Sequence, residues 1–70
     1  MLLHTLHMDK VCEGYKIYLY KEKMSDGNGC ITYYQSISNH PTSAGIMYRT
    51  KEEMYKFYNE WLSELGYDTI

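Results

Sequence analysis

A chain of 70 residues, 44% apolar and 23% charged, has the composition of a folded domain at a length that allows one small core and no second one. Seven Lys and Arg against nine acidic residues give a net charge of -2, which excludes recruitment of nucleic acid by bulk positive charge. With no run of ~18 apolar residues, no segment is expected to cross a membrane, and residues 1–70 are expected to form a single domain.

The opening stretch MLLHTLHM lacks the basic leader of a signal peptide and carries His4 and His7 within its apolar run. Two cysteines, Cys12 and Cys30, are fewer than the disulfide frameworks of small secreted domains use, so reduced, partly buried thiols and a cytoplasmic location are expected. Leu2, Leu3 and Leu6 form either a further strand or a packed arm, and Gly14 separates that segment from a hairpin. From Tyr15 to Tyr20 the chain alternates with the period of a strand: Tyr15, Ile17 and Leu19 on one side, Lys16, Tyr18 and Tyr20 on the other. Ser25 to Gly29, SDGNG, supplies residues that tolerate positive φ and reverse the chain. Cys30 to Ser38 resumes the alternation, and its apolar set of Ile31, Tyr33 and Ile37 is assigned to the side of Ile17 and Leu19.

A second loop spans Asn39 to Gly45, with His40 as a solvated residue and Pro41 barring a ladder hydrogen bond. IMYR then returns as a short strand. Thr50 stands three residues before Glu53, the spacing of a capping box. Met54, Phe57, Tyr58, Trp61, Leu62 and Leu65 come next as one apolar helical stripe, ended by Gly66 as a C-cap. Glu52, Lys56, Asn59, Glu60 and Ser63 make the wet face. The predicted fold is α+β: a small antiparallel sheet of three strands, four if the first residues add one, packed on a single C-terminal helix with Phe57 and Trp61 at the centre of the contact.

Catalytic and metal chemistry find little purchase. His4, His7, Cys12 and Cys30 are zinc-ligand types, but their spacing matches no compact zinc motif and includes no C-x-x-C pair, so they are read as unrelated residues and no metal or cofactor is expected. No nucleophile has a base and an orienting group beside it, and SDGNG lacks the lysine and following helix of a phosphate loop. The chain is therefore not expected to be an enzyme. Its strongest functional feature is a row of tyrosines. With one helix to cover one sheet face, Tyr18, Tyr20 and Tyr34 are expected to point away from it, as anchors of an interface, as residues covered by the N-terminal arm, or as cross-strand pairs packed for stability alone. Glu52 and Glu60 are the acidic residues expected at the rim of such an interface.

The stretch YRTKEEMYKFYNEWL, Tyr48 to Leu62, coming after strands, resembles the end of the three-strand-plus-helix domain at the N-terminus of phage and transposon integrases, over about the last two-thirds of the chain. That resemblance implies a sheet that grips DNA; here the face carries Tyr18, Tyr20 and Tyr34 where such sheets carry Lys and Arg. A second resemblance is one of type. A small, mildly acidic α+β chain without a motif is similar to the phage and mobile-element inhibitors that include the anti-CRISPR proteins, which implies stoichiometric inhibition by binding in the cytoplasm of a bacterial host. The leading expectation is a non-enzymatic interaction protein whose partner is a host protein or ribonucleoprotein complex, with a homodimer also open; the alternative is an integrase-like DNA-binding module.

Overall fold

The computed structural model describes residues 1–39 and 45–70; the readings of His40 and Pro41 lie outside them. Four strands, β1 (Leu2–His7), β2 (Lys16–Ser25), β3 (Cys30–Ser38) and β4 (Ile46–Tyr48), form one antiparallel sheet in the order β1-β2-β3-β4, and the helix α1 (Lys51–Glu64) comes after them. This is the α+β architecture the sequence predicts. The first residues take the strand alternative, pairing with β2 through a bulge between Leu2 and His4.

The sheet is ordered where its connections are tied. Met8 is fully buried at the end of the core, and its carbonyl accepts from the amides of Val11 and Cys12. Gly14, at φ 77°, closes this turn by donating to Asp9 Oδ1 at 3.1 Å. Asn39 then clamps the start of β2, its Oδ1 accepting from the Lys16 amide at 2.9 Å and its Nδ2 donating to the Gly14 carbonyl at 2.8 Å.

The register of the long hairpin overturns one expectation. Ser25 pairs with Cys30, so the loop between them is the four residues Asp26 to Gly29, closed by the Asp26 amide on the Gly29 carbonyl at 3.1 Å. Residues directly opposite share a face, so Leu19 lies beside Ser36 and Ile17 beside Ser38 on the helix side. Ile31, Tyr33 and Ile37 therefore face away from α1, and Tyr34 faces towards it. The expected phase of β3 required one more residue in the loop, and a slip of one residue exchanges the two faces of a strand. Tyr34, expected to point outward, packs against the core.

The core consists of Met8, Ile17, Leu19, Tyr48, Met54, Tyr58 and Leu62. Along α1 the buried line is Met54, Tyr58 and Leu62, at i, i+4 and i+8. At ~100° per residue this line is rotated by about 30° from the centre of the predicted stripe. Tyr55 is half-buried, its ring T-shaped to that of His4 with centroids 5.4 Å apart. Phe57 turns out and is 50% exposed, and Trp61 is half-buried. On the β4 side the Tyr48 ring lies 6.1 Å from that of Phe57.

The N-terminal half of the predicted capping box forms at the helix start: Thr50 Oγ1 accepts from the Glu53 amide at 3.1 Å, satisfying an otherwise orphan donor. Gly66, at φ 82°, allows the Schellman pair of bonds, from the Tyr67 amide to Leu62 O and from the Gly66 amide to Ser63 O. Tyr67 is thereby turned back, its hydroxyl accepting from the Lys10 amide at 2.7 Å and its ring lying under the Lys10 ammonium at 4.8 Å.

Candidate functional site

The face of the sheet opposite α1 has no cover among the described residues. Alternation along β2, together with the register, places Tyr18, Tyr20, Met24, Ile31, Tyr33 and Ile37 on it, and β4 adds Met47 opposite Gln35. Met47 is 61% exposed and Ile31 46%, with Met24 and Ile37 also exposed. Tyr18 and Tyr20 shelter one another, their rings 6.4 Å apart and tilted. Large apolar side chains occupy positions that Thr, Lys and Glu usually fill on a wet sheet face. Of the residues singled out from sequence, Tyr18 and Tyr20 lie on this face and Tyr34 does not. Glu52 and Glu60 are exposed on α1, in the other layer, so the fold does not bring them to the rim of the tyrosines. Tyr33, Ile31, Ile37, Met24 and Met47 belong to the face and were missed; counting Ser25 in β2 leaves a loop of four residues, Asp26 to Gly29, the signal that could have found Ile31, Tyr33 and Ile37, while the alternation of β2 carries Met24.

The helix side is differently built. Because Ser36 and Ser38 are small, a cleft of about 200 Å³ remains between β3 and the Phe57 edge of α1, walled by Tyr15, Ile46, Phe57 and Trp61. Small-molecule sites are typically ~300–1,000 Å³, so this space is below the range for a substrate site. At its base the Tyr58 hydroxyl donates to Ser36 Oγ at 2.8 Å, both residues being buried. The buried Tyr48 hydroxyl has no hydrogen-bond partner among the described residues.

Burial pushes the Tyr58 hydroxyl up to about 12, against the lowering effect of its bond to Ser36. A value above the unfolded one of ~10 means that this stabilisation is complete below pH 10 and lost as pH rises through about 12. Tyr58→Phe, which leaves buried Ser36 without this bond, should be less stable than the parent at pH 8. Having no hydroxyl to ionise, it should lose less stability between pH 10 and 12, as read from urea midpoints across that range. A parent–variant gap independent of pH would contradict the burial of this hydroxyl.

Among the described residues no group of three or more His, Cys, Asp and Glu side chains is placed to hold a metal ion. Cys12 and Cys30 are free and both exposed, which corrects the expectation of partly buried thiols: Cys12 lies in the β1–β2 turn and Cys30 at the hairpin tip. Both should react with a maleimide in the folded protein, and neither reductant nor chelator should move the thermal midpoint. A thiol that labels only after denaturation would show the opposite. No described helix is long and apolar enough to cross a membrane. Compared with known proteins, the chain matches no family model, no curated protein and no solved structure, so the site is read from its own chemistry.

Proposed function

We propose that this chain is a non-enzymatic binding protein that acts by occupying the surface of another protein, with the uncovered sheet face as its interface. The observation that carries the reading is the continuous row of Tyr18, Tyr20, Tyr33, Ile37 and Met47 opposite the helix. Interface centres are enriched in aromatic residues and Met and depleted of charge, and this face has that composition. The resemblance in type to small phage inhibitors supplies the class of partner: a host protein or ribonucleoprotein, such as a defence nuclease, blocked one to one. Glu52 and Glu60, in the other layer, act through the overall field and favour a basic partner at long range.

The alternative is the integrase-like DNA-binding module. Capture from bacterial lysate with the intact chain as bait, at low and high salt, separates the two. A captured protein that persists at high salt and is lost with a Tyr18→Ser/Tyr33→Ser bait supports the interface. Recovery of nucleic acid alone, lost steeply with salt, supports the alternative, because phosphate contacts release counterions.

A further inference from the structure

Resting on the reading of the sheet face as an interface, we propose that the free chain seals this face with a second copy of itself, as a two-fold sheet-on-sheet dimer in which Lys16 of each copy meets Glu22 of the other, and that it engages its partner only as the dissociated monomer. The outward row of β2 reads Lys16, Tyr18, Tyr20, Glu22 in register with β3. A two-fold axis lying between two such sheets, at the midpoint of this row, reverses β2. Lysine then lies over glutamate and Tyr18 over the second copy's Tyr20, whereas stacking with the strands parallel sets like charge over like.

The geometry permits this pairing. Facing sheets lie ~10 Å apart and cross at ~30°. Lys16 and Glu22 are each ~10 Å along the strand from the axis, so the crossing displaces them by ~5 Å, within reach of two long side chains. Glu22 is available, since its existing ion pair, to the α-ammonium of Met1 at 3.3 Å, is exposed at both ends and weak in water. The helices, with Glu52 and Glu60, lie on the outer sides of the sandwich, so the net negative charge of each copy is held away from the other.

The area argues for a reversible seal. With strands of six, ten, nine and three residues, ~4.8 Å apart and rising ~3.3 Å per residue, the face covers roughly 440 Å² per copy, about 900 Å² in all, below the usual range of stable specific interfaces. A dimer of that size forms at high concentration and yields to a partner that fits the monomer better.

Sedimentation velocity from low micromolar to millimolar concentration tests this. The parent should pass from monomer to dimer. Lys16→Glu and Glu22→Lys should each weaken the dimer about tenfold, because each reversal sets like charges together at both ends of the row. The double reversal Lys16→Glu/Glu22→Lys should restore it to within about threefold, since each opposed pair is again attractive. Ile37→Asp should stay monomeric, with circular dichroism reporting an intact fold for every variant. A parent monomeric at millimolar concentration, larger oligomers, or single reversals that leave the dimer unchanged would overturn the proposal. A monomeric parent that still captures a protein through Tyr18 and Tyr33 overturns the dimer and leaves the interface standing; loss of both overturns both.

Discussion

Leu19→Ala should leave this chain largely unfolded near body temperature, while Phe57→Ala should leave it folded. Leu19 is fully buried in the middle of β2, with His4 opposite on β1, Ser36 opposite on β3 and the helix above. Small or polar neighbours in a strand ladder cannot collapse into the space a leucine leaves, so the loss lies towards the upper part of the usual ~3–5 kcal/mol. In a domain of this size each kcal/mol moves the midpoint by ~4–8 °C, which gives a fall of roughly 15–40 °C. Phe57, half in water, should lose only ~1 kcal/mol, from the area it does bury. Thermal melts of the two variants beside the parent decide the matter, and equal effects would mean that the helix is rotated towards Phe57.

The second large effect concerns the outward face. Tyr18→Ser/Tyr33→Ser should fold, with a midpoint within ~10 °C of the parent, because both rings are already partly in water. Its affinity for a captured partner should fall several hundredfold, since two central aromatic anchors typically contribute ~2 kcal/mol or more each. Tyr34→Ser should do the reverse: it removes a ring that packs on the core, lowering the melting temperature while leaving affinity per folded molecule close to the parent's. Titration calorimetry with the purified partner, paired with melts of the same samples, separates the two tyrosine sets. Matching profiles for Tyr33 and Tyr34 would sink the face assignment.

The contrast between those adjacent tyrosines shows where sequence reading ran out. Local signals were dependable because local bonds enforce them: the Thr50 cap, the Gly66 turn and the reversal at Asp26–Gly29 each involve groups a few residues apart. The phase of β3 was not legible from apolarity, since both of its alternating sets contain tyrosine and the more apolar set faces outward. Apolar residues lie inside when water is the alternative, and that rule misassigns a strand whose outer face is itself apolar. The rotation of α1 was hidden for a related reason: it is a property of the assembled helix and sheet that no helical periodicity records.

The sequential strand order has a consequence in time. Each pairing in the sheet joins chain neighbours, so loop closure is inexpensive and the strands can zip in the order in which they are made. The segment that covers Ile17 and Leu19 comes last, after β4. During synthesis the growing sheet is therefore bare on both sides until α1 leaves the ribosome, and one side stays bare afterwards. The interval between completion of β3 and completion of α1 is the period in which this chain is most exposed to wrong associations, and its brevity, set by some twenty-five residues of elongation at ~5–20 per second, protects the fold.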